Sequence, residues 1–201
     1  MHLIIISGPS GSGKTTLSEK LLKELHHGII LNTDNYYRTG IISKLLSKIL
    51  TSYFDKKISF NCRKFKRDLM FILENGFINK TYEYDFKNKN IKIIQKKTDN
   101  IKFIIVEGIF GQEAFEFLSS EKCILIKLKE TKSCCMERVI KRDIQERGKT
   151  KNLAKRDFIE AWKLFHINKK KNNSKKYLKT IVLKKKIDIN FLIKKLTKLM
   201  N

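Results

Sequence analysis

The stretch Gly8-Pro9-Ser10-Gly11-Ser12-Gly13-Lys14-Thr15 constrains this chain more than any other. Its spacing, G-x-x-x-x-G-K-[ST], describes a loop whose backbone N–H groups turn inward around phosphate. Glycine permits the backbone conformations that a Cβ forbids. Lys14 adds a point charge for the β- and γ-phosphates, and Thr15 offers a hydroxyl to Mg²⁺. The flanks agree with this reading. His2-Leu3-Ile4-Ile5-Ile6 is a short, apolar, β-branched run, read as a buried strand. Lys14 to Leu25 has helical periodicity through Leu17, Leu21, Leu22 and Leu25. The loop therefore joins a strand to a helix N-terminus, where the dipole and the free N–H groups favour an anion. Gly8, Ser10, Gly11, Ser12, Gly13, Lys14, Thr15 and Thr16 are the expected nucleotide-binding residues.

The rest of the chain alternates strands and helices, with one interruption. Gly28–Leu31 reads as a second strand and ends in Asn32-Thr33-Asp34-Asn35-Tyr36-Tyr37. In open α/β sheets ligands bind beyond the carboxyl ends of strands, so Asp34 stands where an acceptor would be held against the phosphates. Its carboxylate can take a proton from a hydroxyl, and Tyr36 or Tyr37 can stack or hydrogen-bond. An Asp-Asn turn followed by two packing tyrosines is the plainer alternative. Ile41–Leu50 reads as an amphipathic helix, and Asp55–Phe60 as irregular. Asn61–Glu74 reads as a helix stopped by Gly76, and Ile78–Phe86 with Ile91–Ile94 as a hairpin. This block, about 41–95, breaks the rhythm and is read as an acceptor-binding insertion. Ile101–Val106 is the third parallel strand, and Glu107 at its end is placed for Mg²⁺.

A short helix is expected over Gln112–Leu118 and a fourth strand over Cys123–Leu128. Thr131–Arg147 reads as a helix with a basic face of Arg138, Lys141, Arg142 and Arg147. Only seven of the 44 basic residues are arginines, so three within ten positions depart from the habit of the chain. Guanidinium forks suit phosphate oxygens better than ammonium does, which makes this helix a candidate lid. Ala154–Ile167 reads as a helix, Lys169–Lys176 as a basic loop and Lys179–Leu183 as a fifth strand. Asp188–Met200 reads as a closing helix capped by Asp188.

Composition sets the outer bounds. At 201 residues one domain is expected, and no apolar run approaches the length of a membrane span. The N-terminus enters a strand directly, with no signal peptide, so a cytoplasmic location is expected. Cys62, Cys123, Cys134 and Cys135 form no C-x-x-C pair and no zinc spacing, and read as reduced thiols. The formal net charge is +24. It is compatible with nucleic-acid binding, or with codon composition, since lysine, isoleucine and asparagine are all abundant. Lysine without interleaved aromatics or an arginine cluster favours the second.

Four segments beyond the loop resemble the uridine/cytidine kinases of the P-loop small-molecule kinases, the phosphoribulokinase/uridine kinase group. Asp34-Asn35-Tyr36-Tyr37 is similar to their Asp-Ser-Phe-Tyr, Tyr84-Asp85-Phe86 to their Tyr-Asp-Phe, and Glu107-Gly108-Ile109 to their Glu-Gly-Ile. Arg142-Asp143-Ile144-Gln145-Glu146-Arg147-Gly148-Lys149 resembles their lid motif, Arg-Asp-Ile-x-Glu-Arg-Gly-Arg. The resemblance implies Asp34 as general base, Thr15 and Glu107 as Mg²⁺ ligands, and Tyr37 and Tyr84 as acceptor contacts. It makes Arg142, Arg147 and Lys149 lid contacts to phosphates or acceptor, with Lys14, Arg142 and Arg147 joining Asp34 in catalysis. The departures concern the acceptor. The histidine and arginine that follow Tyr-Asp-Phe in the family are replaced by Lys87-Asn88-Lys89-Asn90. Ile58 stands where the family has its sugar-binding aspartate, with Asp55 nearby as a substitute.

The expected architecture is an α/β P-loop kinase fold: a five-stranded parallel sheet, helices on both faces, and a basic helical lid about 138–156. By analogy with relatives the strand order is 2-3-1-4-5, in one domain over 1–201. The expected reaction is Mg²⁺-assisted transfer of the γ-phosphoryl group of ATP (or GTP) to an alcohol, foremost the 5′-hydroxyl of uridine or cytidine. The alternatives are a kinase for another hydroxylated metabolite, of the pantothenate, phosphoribulose or nicotinamide riboside type, and a nucleotide-dependent RNA-binding or regulatory protein. A small-molecule acceptor is the expected partner, with no membrane, a homo-oligomer as one option and nucleic acid as another.

Overall fold

A computed structural model describes residues 1–50, 53–112, 114, 122–171, 177, 179–184 and 189–200. Its organising layer is a five-stranded sheet built from β1 (His2–Ser7), β2 (Gly28–Asn32), β5 (Phe103–Glu107), β6 (Cys123–Lys129) and β7 (Lys179–Lys184). The order is β2-β5-β1-β6-β7 and every pairing is parallel. Counting only these five strands, that is 2-3-1-4-5, as expected. β1 lies at the centre, with Ile4 opposite Ile105 on one side and Ile124 on the other. Its Leu3–Ile6 run has no exposed surface, because a parallel strand covered on both faces needs apolar side chains at every position. At the edge, β7 carries Lys179 and Lys184, charges that discourage pairing with another strand.

Alternation along the strands divides the core in two. Ile4, Ile6, Ile105 and Ile124 pack with Leu17 and Leu21 of α1 (Lys14–Leu25) and with Leu192 and Leu196 of α6 (Ile189–Met200). Leu3, Ile5, Ile104 and Val106 face the other way, onto Phe65, Leu69 and Ile72 of α3 (Cys62–Asn75). Asn61 caps α3 by accepting from the Lys64 N–H at 3.1 Å, and Gly76 ends it with φ 71°. α3 belongs to the block that also holds α2 (Ile41–Ile49), two short 3-10 turns (Tyr53–Asp55 and Lys57–Ser59), and the antiparallel pair β3 (Ile78–Asp85) and β4 (Asn90–Thr98). β4 runs four residues past the expected hairpin arm. Its Gln95–Thr98 end is polar, yet Gln95 and Thr98 pair with β3, and Gln95, Lys96 and Lys97 are exposed.

α4 (Lys132–Arg147) and α5 (Lys151–Lys171) pack through Cys135, Val139 and Phe158, with Trp162 against them. Thr131 caps α4, and Gly148 ends it with φ 65°. α5 is longer than expected at both ends. Thr150 accepts from the Leu153 N–H at 3.3 Å and starts it earlier, and with no glycine or proline the helix continues to Lys171. Residues 169–171, expected in a loop, are therefore helical; 172–176 lie outside the described residues, as do Asp188 and most of the helix expected at Gln112–Leu118. Among the described residues no helix is long and apolar enough to cross a membrane.

Candidate active site

The carboxyl ends of β1, β2 and β5 open onto a cavity of about 850 Å³. The loop after β1 forms its floor. Gly11 and Gly13 have φ 81° and 89°, the left-handed region that these two turns require. Gly11 also lies so close to α4 that a Cβ would meet the Cys135 carbonyl at 2.6 Å. Ser10, Gly11, Gly13, Lys14, Thr15 and Thr16 line the cavity. Gly8 is buried beneath them, where a Cβ would meet Ser12 Oγ at 2.5 Å. Lys14 Nζ donates to the Pro9 carbonyl at 3.1 Å, which holds the ammonium over the loop. Burial pulls that ammonium below its ordinary pKa, and the charges of Glu107 and Asp34 oppose the shift.

Glu107 ends β5 and is 2% exposed. Its Oε1 accepts from Thr15 Oγ1 at 3.1 Å and from Asn32 Nδ2 at 2.6 Å. Burial raises its pKa, while Lys14 and the Thr15 hydrogen bond hold it down. The other end of the Asn32 amide accepts from the Asp34 N–H at 2.8 Å. Asn32 thus ties the Glu107 carboxylate to the backbone of Asp34. Its position at the end of a strand, one residue before Thr33-Asp34, is the only signal of this role in the sequence. Gly108 completes the frame. At φ 117° it passes so close to Thr33 that a Cβ would collide with Thr33 Oγ1.

Asp34 lies half-buried in a short 3-10 turn, Thr33–Tyr36, and lines the cavity. Tyr37 Oη donates to Asp34 Oδ1 at 3.0 Å, and burial beside that carboxylate raises the phenol pKa well above its ordinary value. Tyr36 turns away into the core, edge-on to Phe65 and Tyr82. Tyr84, expected to touch the acceptor, does not line the cavity. It packs behind Tyr37, Phe54 and Phe86, because the alternation of β3 points it into the aromatic cluster. Its N–H donates to Asn35 Oδ1 at 3.0 Å, which fastens the hairpin to the Asp34 turn. Asp85 is committed to the turn between β3 and β4, accepting from the N–H groups of Lys87 and Asn88. Ile58 is 53% exposed and faces away from the cavity, whereas Asp55 lines it. Burial, reinforced by Asp34, pushes the Asp55 carboxyl up to about 7, against the pull of Lys149 and Arg147.

The residues expected to form a lid converge on one buried carboxylate. Asp143, 2% exposed, accepts from Arg142 at 2.9 Å and from Lys149 at 2.9 Å, and pairs with Arg147 at 3.4 Å. Together these cations hold its pKa below the usual range despite the opposing effect of burial, which is the largest single influence. Lys149 also reaches Asp157 at 3.0 Å, and Arg147 lies over the Phe86 ring at 3.6 Å. Arg138 donates to the Gly11 carbonyl at 3.2 Å, linking α4 to the phosphate loop. Arg138, Arg142, Arg147 and Lys149 all line the cavity. The anchoring by Asp143 was not expected from the sequence, where it reads as one more charge in a basic helix.

The residues present fit a hydrated Mg²⁺. Thr15 and Glu107 bring two hard oxygens together beside the loop, and Mg²⁺ typically takes one or two protein oxygens plus phosphate and water. Among the described residues no three His, Cys, Asp or Glu side chains gather as a self-sufficient metal cage.

The chain is similar to known proteins. The chain is 32% identical over 152 residues to a uridine kinase of Borrelia duttonii, covering 75% of this chain and 71% of that one. It is 29% identical over 184 residues to a uridine kinase of Macrococcus caseolyticus, covering 90% and 86%. In fold it resembles a putative fructose transport system kinase from Silicibacter, with a TM-score of 0.59 at 17% identity over 81% of this chain and 84% of that one. The model of the phosphoribulokinase/uridine kinase family matches residues 3–166. With that match across four of the five strands, the phosphate loop and the segment expected to form the lid, the chain belongs to the phosphoribulokinase/uridine kinase family and is an ATP-dependent phosphotransferase with an alcohol acceptor.

Proposed function

We propose that this kinase transfers the γ-phosphoryl group of ATP to a small-molecule hydroxyl held at Asp34, foremost the 5′-hydroxyl of a nucleoside such as uridine or cytidine. The observation that carries the reading is the joining of Asp34, Asn32, Glu107 and Thr15 by hydrogen bonds on the wall that Lys14 also lines. Asp34 accepts the proton of the acceptor hydroxyl as its oxygen bonds to the γ-phosphorus. The bond from that phosphorus to the bridging oxygen breaks, and ADP leaves with the electron pair. Tyr37 orients Asp34 by donating to Oδ1, which leaves the second carboxylate oxygen for the acceptor. Phosphoryl transfer needs positioning and charge neutralisation more than covalent chemistry. Lys14 supplies charge from the loop, and Arg142 and Arg147 supply it from the lid segment about 138–156. Thr15 and Glu107 would hold Mg²⁺, which would supply further positive charge against the phosphates.

The names of the relatives support the nucleoside. A second reading, another hydroxylated metabolite, is favoured by the acceptor end of the cavity. Lys87 and Lys89 line it, and of Asp55 and Ile58 only Asp55 faces it. Asp55 is the candidate partner for acceptor hydroxyls, and Tyr37 for its body. Formation of ADP from MgATP, with uridine, cytidine and non-nucleoside alcohols as acceptors, tests both readings. Uridine and cytidine turning over no better than the other alcohols would remove the nucleoside reading.

A further inference from the structure

The cations around the cavity differ in how their charge is met. On the lid, Arg142, Arg147 and Lys149 share Asp143, and Lys149 has Asp157 as well. On the acceptor wall, Lys48 from the end of α2 and Lys89 from the β3–β4 turn also line the cavity. Among the described residues neither forms an ion pair with a carboxylate. Lysine is abundant throughout this chain, so its presence alone carries nothing. The placement of Lys89 is what distinguishes it. Its backbone sits at φ 51°, a region that side-chain-bearing residues rarely adopt. Its half-buried ammonium is held, with Nζ donating to Ser47 Oγ at 2.7 Å, while the Ser47 hydroxyl in turn donates to the Lys44 carbonyl. Asp85 staples the turn beneath it. Burial, followed by the charges of Lys48, Lys149 and Lys44, pulls the Lys89 ammonium below its ordinary pKa. A held, half-buried Lys89 with Lys48 close beside it on the wall of a cleft focuses a field that favours an anion.

We propose that Lys48 and Lys89, the latter positioned by the Ser47 hydroxyl, form an anion subsite, so that the acceptor carries a phosphate or carboxylate in addition to the hydroxyl presented to Asp34. The inference rests on the kinase reading above and narrows its acceptor class. A neutral nucleoside would leave both ammonium groups unmatched, whereas an anionic one gains charge-assisted hydrogen bonds to them.

Three acceptors that share a free ribose 5′-hydroxyl test it: neutral uridine, uridine 3′-monophosphate and orotidine, which carries a carboxylate on the base. The measurement is kcat/KM with MgATP. At least one anionic acceptor should be used about tenfold better than uridine, the scale of a charge-assisted hydrogen bond. Preference for the 3′-monophosphate assigns the subsite to phosphate, and preference for orotidine assigns it to carboxylate. The advantage should collapse in the Lys48→Ala/Lys89→Ala double variant, survive in Lys89→Arg, and shrink in the unaltered protein as ionic strength rises. Should the double variant fail to fold, the salt dependence and Lys89→Arg still decide. Uridine matching both anionic acceptors, or a preference that persists in the double variant, overturns the subsite and leaves the kinase intact. Transfer to none of these or of the neutral alcohols, with MgATP still bound, overturns the kinase reading, and the subsite falls with it.

Discussion

The two walls of the cavity are built in different ways. The phosphate wall hangs from the ends of β1, β2 and β5 and the start of α1, and its carboxylates are already partnered. Glu107 accepts from Thr15 and Asn32, Tyr37 donates to the Asp34 carboxylate, and Asn32 holds the Asp34 backbone. The acceptor wall comes from α2, the 3-10 turns and the β3–β4 pair, outside the main sheet. It offers an aromatic cluster, a half-buried Asp55 raised in pKa, and the lysines of the hairpin turn and α2. Under the proposed function, the groups of phosphoryl transfer are locked to the sheet, and recognition of the acceptor falls to segments outside it.

That contrast can be broken or sharpened by experiment. The largest effect should come from Asp34→Asn. Loss of a general base typically costs 10² to 10⁴ in rate, so turnover should fall by about a thousandfold. Calorimetry should find MgATP binding unchanged, and a near-normal rate would remove Asp34 as the base. Next, Glu107→Gln should raise the Mg²⁺ concentration needed for half-maximal rate by about tenfold, since an amide is a weaker ligand than a carboxylate. Chelation with EDTA should abolish transfer in the unaltered protein. Gly108→Ala should destabilise by about 1–3 kcal/mol through the collision with Thr33 and the positive φ. It should show as a lowered thermal midpoint, and an unchanged melt would mean that the turn carrying Asp34 yields freely.

On the acceptor wall the expected effects are smaller. The Asp55 carboxyl is raised from an ordinary 3.8 to about 7 in the folded protein. Its contribution to stability is therefore complete below the unfolded value and is lost as pH rises towards 7. Asp55→Asn should flatten that slope in urea melts taken across this range, and should remove any inflection near pH 7 in the acceptor KM. Melts that retain the full slope would place the titration elsewhere. The smallest effect should come from Lys149→Arg. It keeps the charge between Asp143 and Asp157, so turnover should change by less than about tenfold.

The fold was largely legible because its signals are local and strong. Unbroken β-branched runs mark β1 and β5, and the glycine-lysine loop marks the junction of β1 with α1. The helices of the insertion were legible from their apolar spacing and from Gly76. What escaped depended on tertiary contact. Thr150 starts α5 earlier than apolar spacing alone indicated, and pairing with β3 carries β4 through its polar end. That Lys14, Thr15, Asp34 and Glu107 would line one cavity was legible because strand ends converge by construction. The role of Asp143 was not, since its burial among three cations exists only once α4 ends at Gly148 and the chain folds back through Lys149. Nor was the pairing of Lys89 with Ser47, residues 42 positions apart that the β3–β4 turn brings onto α2. Tyr84 shows the converse. Its motif fits, but strand alternation turns it inward.

The alternation of β1 has one more consequence. Leu3 and Ile5 belong to the core under α3, and Ile4 and Ile6 to the core under α1 and α6. The segment proposed to meet the acceptor is thus seated on one side of the sheet, and the helix that follows the phosphate loop on the other. Substitutions separated by a layer of this thickness and sharing no partner combine with little epistasis. A lineage can explore new acceptors on the α3 side while purifying selection on the α1 side continues undisturbed.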